Sequence, residues 1–132
     1  MLIRIHHVGV AVADLDESIR MYESAFGAEL VHRAISETDG LEAAFIRTGS
    51  GEVELLSALR DDSPVGKFLA RRGPGLHHVA FAVEDIEEAL AEAREAGVQA
   101  IDAVPRLGMH GTRIAFLHPK SMGGVLTELV EA

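Results

Sequence analysis

Apolar and polar residues alternate from Ile3 to Val12, with Val8, Val10 and Val12 on one face and His7, Gly9 and Ala11 on the other. Alternation with β-branched residues predicts a strand. A helix is predicted next, opened by Asp14 with Glu17 and ended near Gly27, with Ile19, Tyr22 and Phe26 turned inward. The opening is an Asp-x-x-Glu box whose side chains satisfy the N–H groups left free at a helix start, and glycine is the residue that most readily ends one.

The same pattern returns at a constant offset of 71 residues. His6 falls on His77, His7 on His78, Val8 on Val79, Ala11 on Ala82, Val12 on Val83, Asp14 on Asp85 and Glu17 on Glu88. So many ungapped matches indicate a duplicated unit. The second helix carries Ile86, Leu90 and Ala93 inward and ends near Gly97. Extended segments are predicted near 28–34, 41–48 and 51–57 in the first half, and near 98–101, 112–117 and 124–130 in the second. The organisation is βαβββ written twice, an α+β fold. A single domain over 1–132 is expected, with module one at about 1–60, a connecting segment at 61–74 and module two at about 75–132. The segment "DDSPVGKFLARRGPG" predicts a short helix from Pro64 to Ala70.

Composition narrows the chemistry. Of 132 residues, 48% are hydrophobic, enough for a core, and none is cysteine, so any metal must be held by nitrogen and oxygen. A net charge of −9, from 21 acids against 12 bases, argues against a nucleic-acid partner, whose binding draws on a basic surface. No apolar run reaches the roughly 20 residues that span a bilayer, so no membrane partner is expected and a cytoplasmic address is.

Alternation also sorts the candidate ligands. His7 is followed on its face by Gly9 and Ala11, and His78 by Ala80 and Ala82, so small residues leave room beside each histidine. The closing strand of each module carries a glutamate in an apolar run, Glu54 between Val53 and Leu55 and Glu128 between Thr127 and Leu129, at an offset of 74. Glutamates buried in strands are costly unless paired or bound to a metal. A lone strand histidine is more often structural than a ligand, but here the histidine and the glutamate both occur twice. His7, Glu54, His78 and Glu128 are therefore the expected ligands of one divalent ion, manganese, cobalt, nickel or zinc, with positions left for substrate. His6 and His77 point to the helix side and are read as packing residues or as supports behind the ligands, Tyr22 and Phe26 as core, and His32, His110 and His118 receive no role.

The chain resembles the methylmalonyl-CoA epimerases of the vicinal oxygen chelate superfamily. The resemblance lies in "HHVGVAVADLDESIRMYESAFG", "VELL", "DDSPVGKFLARRGPGLHHVAFAVEDI" and, most specifically, "RIAFLHPKSMGGVLTEL". It implies two βαβββ modules forming a curved mixed sheet cup. It implies metal ligands at His7, Glu54, His78 and Glu128, with Glu54 standing where some epimerases have glutamine. It further implies an acyl-CoA substrate, interconversion of (2R)- and (2S)-methylmalonyl-CoA by proton removal at C2, Glu128 as one catalytic base, and a homodimer. Ala43 departs from the pattern, because some members carry a glutamate there; Glu42 lies next to it but on the opposite face. Lys120 and Arg106 are loop bases able to meet a phosphate or the substrate carboxylate, with ordinary surface charge the favoured reading. Two other functions fit the same scaffold: a glyoxalase I-like lactoylglutathione lyase, and a metal-free module that binds a small molecule.

Overall fold

Asp14 and Asp85 open their helices in the same way. Each sits in extended backbone and accepts an N–H from three residues on, Glu17 at 3.0 Å and Glu88 at 3.1 Å. A computed structural model describes all residues, Met1–Ala132. Its elements are β1 (Leu2–Ala11), α1 (Leu15–Phe26), β2 (Glu29–Ser36), β3 (Leu41–Thr48), β4 (Gly51–Ala58), α2 (Pro64–Arg72), β5 (Gly75–Val83), α3 (Ile86–Glu95), β6 (Arg106–Leu107), β7 (Arg113–Leu117) and β8 (Thr127–Glu131). The fold is α+β. No helix is long and apolar enough to cross a membrane. Two compact units carry the elements: His7–His77, and Met1–His6 together with His78–Ala132.

In the first unit β1 runs parallel to β4, which pairs antiparallel with β3, which pairs antiparallel with β2. In the other, β5 runs parallel to β8, and β8, β7 and β6 follow as antiparallel neighbours. Each module thus closes with the same parallel pairing of its first and last strands. The core of the first unit is the helix side of its sheet: Val12, Leu15, Ile19, Ala44, Ile46 and Leu55, with Val10, Tyr22 and Val53 at its edge. The equivalent core of the other is Val83, Ile86, Leu90, Ala115, Leu117 and Leu129. Burying the valine, leucine and isoleucine side chains among them contributes about 1.5–3 kcal/mol each, as an upper bound.

Two expectations need correction. The strand over 98–101 shrinks to one bridge, Ala100 to Leu117, and the outer strand is the short β6. The chain leaves the ladder at Asp102, whose carboxylate takes the Phe116 N–H at 2.8 Å in place of a backbone carbonyl. Pro105, just before β6, has no N–H to give. Phe26 is 75% exposed rather than core. The apolar stripe of α1 runs past the end of the sheet's core, its last turn closes on Gly27 at φ 63°, and the Phe26 ring rests on Tyr22 at 6.0 Å.

Candidate functional site

On the face of the first unit's sheet away from α1, β1 delivers His7, β4 delivers Glu54 and β3 delivers Phe45 and Ala43. The alternation that puts Val53 and Leu55 into the core under α1 turns Glu54 the other way. His7 and Glu54 are only 2% and 5% exposed, and His7 Nε2 lies 3.2 Å from Glu54 Oε1. Phe45, fully buried, meets the His7 ring edge-on at 6.3 Å and is covered on β2 by His32, stacked at 5.7 Å. The glutamate is flanked by Gly9 on one neighbouring strand and Phe45 on the other. A glycine and a phenyl ring leave the carboxylate room but no water-rich surround.

The other unit repeats the arrangement. His78 and Glu128 are each 5% exposed. Glu128 is flanked by Ala80 on β5 and Phe116 on β7, and the Phe116 ring meets His78 edge-on at 5.6 Å. Arg106, 5.8 Å over the Phe116 ring and paired with Asp102 at 3.2 Å, covers the aromatic as His32 covers Phe45. Phe45 and Phe116 obey the same 71-residue offset as the histidines, a signal that was present in the sequence and that the reading of ionisable residues alone passed over. The glutamates differ by 74 because Glu128 follows its partner Phe116 by 12 residues, through a connection that holds the turn Pro119–Ser121, whereas Glu54 follows Phe45 by 9. Their place in the register is nonetheless the same.

Further along this face of β3 and β7 the residues are apolar, while Glu52 and Arg47 pair near the other end of β4 and β3. Ala43 is fully buried, and its counterpart on β7 is Ile114. Glu42 points to the opposite side, where it accepts from Arg33 Nε at 2.8 Å; Arg33 Nη1 also donates to Asp16 at 2.7 Å. These two carboxylates, Glu42 first, hold the Arg33 guanidinium above its usual range. His6 meets His110 at 5.1 Å and His77 meets Phe68 at 4.9 Å, so both are packed against rings. His118 Nδ1 accepts the Lys120 N–H and caps the turn that follows.

Set beside known proteins, residues 6–116 match the model of the Glyoxalase/Bleomycin resistance protein/Dioxygenase superfamily. The ethylmalonyl-CoA/methylmalonyl-CoA epimerase of Cereibacter sphaeroides is 36% identical, over 98% of this chain and 98% of its own. A methylmalonyl-CoA epimerase solved in complex with methylmalonyl-CoA and NH4+ is 40% identical with a TM-score of 0.96, over 100% of this chain and 96% of the other. A variant of the Streptomyces coelicolor methylmalonyl-CoA epimerase in complex with 2-nitronate-propionyl-CoA shares 40% identity and a TM-score of 0.96, over 100% and 99%.

Proposed function

The chain belongs to the Glyoxalase/Bleomycin resistance protein/Dioxygenase superfamily and, within it, to the methylmalonyl-CoA epimerases; on that premise we propose that it is a metal-dependent enzyme interconverting (2R)- and (2S)-methylmalonyl-CoA. The observation that carries this reading is the doubled set of histidine, phenyl ring and carboxylate in one register, in a chain 40% identical along its length to an epimerase seen with that thioester.

In this proposal His7, Glu54, His78 and Glu128 hold one divalent ion, cobalt, manganese, nickel or zinc. The residues fit such an ion. In the first unit His7 and Glu54 are buried 3.2 Å apart, and in the other His78 and Glu128 are buried beside Ala80 and Phe116, an imidazole and a carboxylate in each. Two neutral imidazoles and two carboxylates carry −2 together, which offsets a divalent charge in surroundings where an uncompensated carboxylate is costly. An ion held there would supply Lewis acidity toward a thioester oxygen.

The chain's own residues do the rest. Glu128 is the base for one face of C2. Ala43 and Ile114 supply no carboxylate from β3 or β7, and of the two glutamates that β4 turns to this face Glu54 is the buried one, so it is given the return of the proton to the other face. Phe45 and Phe116 keep water from the carboxylates, which strengthens every charge interaction there. A cytoplasmic address is part of the proposal. Pairing into a homodimer completes the reading, with exposed Leu2, Ile3 and Ile5 as the surface a second copy would cover.

The test is circular dichroism of purified (2R)- or (2S)-methylmalonyl-CoA after addition of the protein, before and after chelation. Interconversion that stops on chelation and returns with cobalt or manganese is expected. Absent interconversion, with turnover of methylglyoxal plus glutathione, would replace the epimerase by a lyase. Protein purified without metal and inert on both substrates would favour a binding module.

A further inference from the structure

We infer that Asp102 is a positioning residue, holding the Phe116 ring against His78 and beside Glu128 both directly and through Arg106. This role deepens the epimerase reading and rests on it for the reaction that is served. The two modules differ at this point. In the first, Phe45 lies between two strands, paired with Glu54 on β4 and with His32 on β2, inside a ladder that runs from Glu29 to Ser36. In the second, Phe116 is paired with Glu128 on β8, while β6 covers β7 only at Arg113 and Ile114 and stops short of Phe116.

Ile101 and Asp102 fill the gap. Their N–H groups both donate to the Phe116 carbonyl, at 2.8 and 3.3 Å, and the Phe116 N–H goes to Asp102 Oδ2 at 2.8 Å. A backbone carbonyl would satisfy that N–H without any charge. What a carboxylate adds is a second oxygen. Asp102 Oδ1 accepts from Arg106 Nε at 3.2 Å, and the guanidinium so held lies 5.8 Å over the Phe116 ring. The bond to an ionised acceptor is stronger than one to a neutral carbonyl, and a cation over a ring face adds an attraction of its own. Arg94, donating to the Ala103 carbonyl from the last turn of α3, ties the same segment down.

One side chain thus fixes both the backbone and the ring of Phe116. That ring meets the His78 imidazole edge-on at 5.6 Å, and Phe116 is the β7 neighbour of Glu128. Phe116 is only half-buried whereas Phe45 is fully so, and packing alone constrains it less. Freed to turn, the ring would let water reach the Glu128 carboxylate and would leave the His78 imidazole without its side wall. Such misplacement costs more in rate than in stability, since a shift of about 1 Å slows a reaction by about 100-fold.

The test joins epimerisation kinetics to NMR of the His78 ring protons, which feel the ring current of Phe116, on the full chain treated with diamagnetic zinc and no substrate. The variants are Asp102→Ala, the milder Asp102→Asn, Arg106→Met and the double Asp102→Asn/Arg106→Met, with Glu131→Gln as a control for lost stability in the same unit. In Asp102→Ala kcat falls by at least about tenfold while KM stays within about twofold, and the His78 resonances move. Asp102→Asn, which keeps an acceptor for the Phe116 N–H, loses less. Arg106→Met matches it, and the double variant is no slower than either, because both changes remove one contact. Glu131→Gln keeps the parental kcat. Should Asp102→Ala fail to fold, Asp102→Asn and Arg106→Met decide. Parental kcat in the Asp102 variants, additive losses in the double variant, or unmoved His78 resonances overturn the inference. So does a raised KM at unchanged kcat in Arg106→Met, which would make Arg106 a substrate contact. An inactive parent whose His78 resonances still move in the Asp102 variants sinks the epimerase alone, and an active parent with no response in those variants sinks the Asp102 role alone.

Discussion

His7 Nε2 and Glu54 Oε1 lie 3.2 Å apart with both side chains almost wholly out of solvent. The two residues come from parallel neighbours, β1 and β4, so the sheet and not a mobile loop sets their separation. Glu54→Ala removes one oxygen donor and keeps the strand. Metal affinity is expected to fall by at least about tenfold, the low end of what even a residue merely supporting a ligand contributes, and epimerisation with it. Elemental analysis after dialysis reads the first quantity. Undiminished metal content in Glu54→Ala would remove Glu54 from the ligand set.

Glu128 holds in the second module the register position that Glu54 holds in the first, beside a ring that meets a buried histidine. Its amide replacement keeps one oxygen and the shape but has no useful basicity. Glu128→Gln is expected to retain much of its metal while exchange of the C2 proton of methylmalonyl-CoA for solvent deuterium slows by about 100-fold or more, the scale on which a positioned base acts. Exchange at the parental rate, followed by NMR, would assign the base elsewhere.

Legibility from the sequence followed physical period. Strand alternation separated Val10 and Val12, in the core, from His7 on the opposite face, and capping chemistry located both helix starts, because each is fixed by neighbours in the chain. The pairing of His7 with Phe45 depends on which strands lie side by side, and no local pattern states that. Asp102 replacing a ladder bond and Phe26 outrunning the core are likewise outcomes of tertiary geometry. The ion-paired Glu131 was silent for the same reason: its partners, Arg113 and the Ile86 N–H, are 18 and 45 residues away in sequence.

Leu55 is fully buried in the first core and Leu129 is 3% exposed in the second. They flank Glu54 and Glu128, each next to its glutamate in sequence and on the opposite face. Leu55→Ala and Leu129→Ala are each expected to lower unfolding free energy by about 2–5 kcal/mol through lost burial and the cavity left behind. Urea unfolding followed by circular dichroism measures this. A loss below about 1 kcal/mol at either position would mean that its core collapses onto the gap.

Glu131 binds Arg113 through both oxygens, from Nε at 3.1 Å and Nη2 at 2.9 Å, and also accepts the Ile86 N–H at 3.1 Å at the start of α3. Arg113 first, then that N–H, holds its carboxyl below the usual range, while the guanidinium is held above its own. A carboxyl whose folded pKa lies below its unfolded value of about 4.3 binds fewer protons folded than unfolded in the window between the two. Its contribution is present above that unfolded value and is lost as pH falls through the folded one. Arg113 stays charged throughout, so the carboxyl alone titrates. Glu131→Gln should therefore be less stable than the parent at pH 7, with the two converging as pH drops below about 4. Urea midpoints at pH 7, 5 and 3.5 supply the comparison. A difference that stays constant over the three would mean that Glu131 acts through shape and not through its charge.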